Sequence, residues 1–123
     1  MKRSSLIILF LFCFSLSGLS KDVSLNQFML DRWDNSNGLP QNSVTTMVQT
    51  RDGFIWMGTE EGFVKFDGIK FRLYDDSSLP LENHSTKFIF EDIKSPNIWV
   101  GTDGGGLLNL NYETEEFKIF DTR

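Results

Sequence analysis

Apolar and polar residues along this chain fall into short runs, and no run keeps a helical period with capping residues at its ends. From Val44 to Gln49 the apolar positions alternate, and the run ends at Arg51-Asp52-Gly53, a hairpin turn containing glycine. Phe54–Gly58 is a continuous apolar run of the kind that forms a buried strand. Gly62–Phe66 follows a Glu60-Glu61 turn, and Asp67-Gly68 is a second hairpin signal. In Lys70–Tyr74, Phe71 and Leu73 share one face while Lys70 and Arg72 share the other, as in a strand half open to water. The pattern predicts four short antiparallel strands.

The pattern then recurs. Residues 55–66 (IWMGTEEGFVKF) return at 98–110 (IWVGTDGGGLLNL). Ile55, Trp56, Gly58 and Thr59 each stand 43 residues before Ile98, Trp99, Gly101 and Thr102. An extra glycine then pairs Gly62 with Gly106, and FRLYDD at 71–76 matches FKIFDT at 117–122. The second unit predicts strands at Thr86–Asp92, Asn97–Thr102, Leu107–Asn111 and Glu116–Phe120. A period of 40–50 residues with four strands per unit is that of a β-propeller blade. The fold expected is therefore all-β: two four-stranded antiparallel blades, at 42–76 and 86–123, joined by a linker at 77–85. Trp56 and Trp99, mid-strand, are expected to fill the space between adjacent sheets. A leader at 21–41 contains Phe28–Trp33, which reads as an orphan outer strand before a Leu-Pro turn, Leu39-Pro40, that has its counterpart at Leu79-Pro80. In propellers such a strand completes the last blade.

The first twenty residues follow a different logic. Lys2 and Arg3 precede an apolar stretch from Leu6 to Leu16, with Gly18 and Ser20 as the small residues before a cut after Ser20. This is the layout of a secretory signal peptide, removed or retained as an anchor, although the apolar core is short for a span. Cys13, the only cysteine, sits inside the apolar stretch, where a lipoprotein signal would not place it.

Composition narrows the function. The net charge is −5, and the first twenty residues carry Lys2 and Arg3 but no acid, so the remainder is more acidic still. That argues against nucleic-acid binding, which needs a basic face, and against a polybasic membrane contact. One cysteine and one histidine leave no disulfide framework and no Cys- or His-rich metal site. His84 lies in a polar linker without a catalytic companion. Glu60-Glu61, Glu91-Asp92 and Glu113-Glu115-Glu116 read as solvated loop charge rather than as a carboxylate pair set across a cleft. The expectation is a chain with no catalytic residues, no metal and no cofactor, and with a ligand site that the pattern does not locate.

An Asn-Gly-Leu-Pro lead-in at Asn37–Pro40, an Asp-Gly turn at Asp52-Gly53 and an Ile-Trp-x-Gly-Thr core at Ile55–Thr59 and Ile98–Thr102 together resemble the two-component regulator propeller family. The second unit departs from it, with Ser78-Leu79-Pro80 for the lead-in and Ser95-Pro96-Asn97 where the Asp-Gly turn stood. The resemblance implies the periplasmic sensor region of a bacterial signalling receptor, whose kinase or other output module would lie elsewhere. Its partners would be the missing blades of a longer chain or other copies of itself, together with a carbohydrate or other small solute. Nucleic acid is not expected, and contact with the membrane would come only through the signal peptide or a missing downstream helix. Two blades cannot close a ring, so an N-terminal fragment of such a sensor is expected. The alternatives are a free-standing exported module that self-assembles into a propeller and a truncated secreted propeller enzyme.

Overall fold

A computed structural model describes residues 29–121; the signal segment, the cut after Ser20 and residues 21–28 of the leader lie outside the described residues. The chain divides into two units, Met1–Asp31 and Arg32–Arg123. Of the first, residues 29–31 are described, and Met29 and Leu30 are exposed.

The second unit holds eight strands: β1 (Val44–Gln49), β2 (Ile55–Thr59), β3 (Gly62–Phe66), β4 (Phe71–Tyr74), β5 (Thr86–Glu91), β6 (Asn97–Thr102), β7 (Leu107–Asn111) and β8 (Phe117–Phe120). They form two four-stranded antiparallel sheets in the orders β1-β2-β3-β4 and β5-β6-β7-β8. These are two propeller blades. Each carries an irregularity at the same place, between Val44 and Thr46 in β1 and between Thr86 and Phe88 in β5. Phe54, Lys70, Asp92 and Glu116, expected inside strands, fall one residue outside because their backbone groups close the hairpins. Thr50 N–H donates to the Phe54 carbonyl at 3.0 Å, and Asn111 N–H to that of Glu116 at 2.8 Å.

The leader departs from expectation. Residues 29–33 are not in a strand. A strand is defined by a partner that takes up its N–H and C=O groups, and none of the described strands pairs with this segment.

Side-chain alternation gives each blade two apolar faces. Trp56, Phe63 and Tyr74 from one face of the first blade share a buried cluster with Ile89, Ile98, Val100, Leu108 and Leu110 of the second. The opposite face of the first blade holds Met57, Val64 and Phe66, which cluster with Leu39 from the Leu-Pro turn. Leu79, from the matching turn before the second blade, is buried in the cluster between the blades. The two Leu-Pro turns thus do the same job one blade apart.

Candidate functional site

The repeated Gly-Thr step has a specific local cause. Thr59 Oγ1 donates to the Gly62 carbonyl at 3.0 Å, and Thr102 Oγ1 to the Gly106 carbonyl at 2.9 Å. Each threonine therefore ties off the turn that follows its strand. Both glycines have positive φ, and a Cβ on either would run into the backbone oxygen of the fourth strand's last residue, Tyr74 or Phe120. The preceding glycine of the signature serves close approach. A Cβ on Gly58 would lie 2.6 Å from Thr46 Cγ2 and 2.6 Å from Thr86 Cγ2, the latter in the neighbouring blade. Asp52-Gly53 and Asp67-Gly68 form turns with glycine at φ 90° and 95°, and Asp67 Oδ1 accepts from the N–H groups of Ile69 and Lys70. Those hydrogen bonds hold the Asp67 carboxyl below its ordinary range.

The two signature tryptophans have different surroundings. Trp56 is fully buried between the blades, within 6 Å of the rings of Phe63 and Tyr74. Trp99 holds the equivalent register on the outward face of the second blade, beside Phe90 and Phe120. Phe88, Phe90 and Phe120 are 45–49% exposed.

Polar contacts fasten one blade to the other, and residue pattern alone did not single them out. The Arg51 Nε donates to Glu91 Oε1 at 3.0 Å, and its Nη2 donates to the carbonyls of Asp92 and Ser95 at 2.9 and 2.7 Å. The Arg51 backbone N–H and the Tyr112 hydroxyl also donate to Glu91 Oε1, at 3.0 and 2.7 Å. Burial pushes the Glu91 carboxyl up, but these donors outweigh it and hold it below the ordinary value. Arg72 forms a bidentate pair with Glu115, the strong geometry for this pair of groups. Its guanidinium also lies 4.8 Å from the Tyr74 ring centre. Thr45 Oγ1 donates to the Thr86 carbonyl at 2.8 Å, and Thr86 Oγ1 to that of Gly62 at 3.1 Å. Glu91 and Glu115, expected as solvated loop charge, are therefore contacts between blades. The available signal was spacing: Arg51 precedes Glu91 by 40 residues and Arg72 precedes Glu115 by 43, close to one repeat in each case.

His84 is half-buried, with Nε2 3.3 Å from the Leu79 carbonyl oxygen. It borders an open hollow of about 430 Å³ at one end of the blades, with Glu60, Glu61, Asp75, Asp76 and Glu82. Another hollow, of about 520 Å³, is lined by Asn97, Asn109, Asn111, Glu116 and Lys118 beside β8.

Residues 38–61, from the Leu-Pro turn through the first Gly-Thr step, match the family model described as "Two component regulator propeller". Over these residues the chain is similar to a two component regulator propeller repeat. The propeller region is similar to the crystal structure of the extracellular domain of a hybrid two component system from B. thetaiotaomicron, at 33% identity and a TM-score of 0.68 over 76% of this chain. It is also similar to "Histidine kinase P4" of Formosa agariphila, 34% identical over 61 residues, half of this chain. The chain spans 13% of the length of that structure and 4% of that histidine kinase. It is thus a propeller segment related to the sensor region of hybrid two-component systems.

Proposed function

We propose that this chain supplies two blades of an exported, periplasmic propeller that senses a solute for a bacterial two-component receptor, and that it carries no catalysis of its own. One observation supports this above the rest. The likeness to the extracellular domain covers 76% of this chain, more than one blade or one motif. The signal-like segment at 1–20 agrees with export. The uncovered aromatic face of the second blade agrees with a ring that needs further blades. So does the leader: Trp33-Asp34 precedes Leu39-Pro40 as Tyr74-Asp75 precedes Leu79-Pro80. The likeness is chemical as well, because Asp34 Oδ1 and Asp75 Oδ1 accept from Ser36 and Ser77 in the same way. In sequence order, then, residues 28–33 precede the first Leu-Pro turn as Phe71–Tyr74 precedes the second.

Alkaline phosphatase, active only outside the cytoplasm, tests export when fused after Arg123. Activity that disappears when residues 2–20 are deleted is the expected result, and activity that survives the deletion overturns the export reading. For sensing, the first probe is a mixture of neutral oligosaccharides, added to a receptor whose corresponding blades are replaced by residues 32–121. A change in receptor output is expected with the graft and not with an empty scaffold.

A further inference from the structure

We infer that the outer face of the second blade is built for a third blade of different sequence, one that carries a carboxylate where the second blade carries Glu115, and not for a second copy of this chain. The inference rests on the propeller reading and makes it specific. The outer face repeats, position by position, the face that the first blade turns toward the second. Phe90 pairs with Trp99 as Val48 pairs with Trp56; Leu107 pairs with Phe120 as Phe63 pairs with Tyr74; Asn109 pairs with Lys118 as Lys65 pairs with Arg72. Lys118 therefore stands where Arg72 stands. Arg72 is held by Glu115 of the next blade. Among the described residues Lys118 has no ion pair, and Glu116, two residues before it, makes none with it.

The inner contact shows what the missing neighbour must offer: an aliphatic face like that of Ile89, Ile98, Val100 and Leu108, and an acid in the turn before its last strand. Glu115 itself sits at φ 62°, a conformation a non-glycine residue adopts at a cost, in the turn where it meets Arg72.

A second copy of this chain lacks the match. Its first blade has Ile69-Lys70 where the second has Glu115-Glu116, so Lys118 would find Ile69 in place of the carboxylate, with Lys70 beside it. It has Gln49 where the second has Glu91, so the carboxylate that receives Arg51 has no counterpart there. Its open face is also partly taken. Trp33 lies against Phe66 and Phe71, with ring centres 5.1 and 6.3 Å away. Like charges brought together at an interface select against the wrong partner.

Two extended chains test this. One repeats residues 78–123 after Arg123, so that a copy of the second blade, with its Glu115, follows Lys118. The other repeats residues 38–76, presenting Ile69 and Lys70 instead. Hydrogen exchange of the β8 amides reports docking, and exchange in β6 serves as the control for folding. The expected result is slower β8 exchange in the first chain than in the second. In the first chain, Lys118→Glu should speed β8 exchange about three- to fivefold, the size of one exposed ion pair. Glu115→Lys in the repeated copy should restore the protection. Equal protection by both extensions, or no effect of Lys118→Glu, overturns the inference and leaves the propeller reading standing. If neither extension protects β8, the propeller reading falls with it.

Discussion

Gly58→Ala probes the approach of one blade to the other at a single atom. Gly58 lies mid-strand and opposes Thr46 and Phe63 in register. Its φ is not in the left-handed region, so an alanine there meets a packing problem alone. The new methyl would sit 2.6 Å from two threonine methyls, Thr46 Cγ2 and Thr86 Cγ2. Neither can step back easily. Both are β-branched and stiff at χ1, and Thr86 is fully buried with its hydroxyl donating to the carbonyls of Gly62 and His84. Overpacking of this kind costs about 1–3 kcal/mol. Replacing a strand glycine recovers roughly 0.5–1 kcal/mol of backbone entropy. The net loss is on the order of 1 kcal/mol, which lowers the thermal midpoint of a domain this size by about 4–8 °C. Thermal unfolding followed by circular dichroism reads this directly. Gly101→Ala is the matched control. Its methyl would meet the far end of the Phe88 ring, which is 45% exposed and free to turn aside, so the midpoint should hardly move. Thr46→Ser in the Gly58→Ala background removes one of the two methyls and should restore part of the loss. A Gly58→Ala chain as stable as its parent, or a Gly101→Ala chain equally weakened, would refute the account of how the blades meet.

Trp56→Ala should cost about 3–5 kcal/mol, as for a buried aromatic. Trp99→Ala should cost clearly less, because its neighbours on the open face are half-exposed; urea titrations of the two variants compare them. Stability should fall in acid partly through Glu91. Its folded pKa is depressed, so the stability it carries is complete above the ordinary glutamate value of 4.5. That stability is lost as the pH falls through the lowered value. Glu91→Gln should flatten that part of a pH–stability curve, and an unchanged curve would sink the assignment. Trp33→Ala removes the ring that lies against Phe66 and Phe71 and should cost about 1 kcal/mol, the scale of aromatic pairing. Accompanying loss of the Trp33 emission signal on its own, with no change in stability, would show that the leader is not docked.

Within each blade, much was legible before any coordinates. Both Asp-Gly turns separate two strands: Asp52-Gly53 lies between β1 and β2, Asp67-Gly68 between β3 and β4. The Ile-Trp-x-Gly-Thr core lies in β2 and again in β6. These features are local, since strand alternation and turn chemistry act over a few residues. The leader was harder to place, because a strand exists only where a second one pairs with it.

What the sequence by itself determined is therefore the blade: its period, its four strands and the glycines and threonines that close its turns. What only the tertiary structure decided is how one blade addresses the next. Trp56 and Trp99 are identical in motif and strand position, yet one is fully buried and the other lies on an open face. Glu91 and Glu115 read as loop charge until the fold brings Arg51 and Arg72, about one repeat earlier in the chain, within hydrogen-bond reach. The physical reason is range. Strand and turn preferences are set by neighbouring residues, whereas burial and charge pairing depend on groups some forty residues away, and no short window of sequence contains both partners.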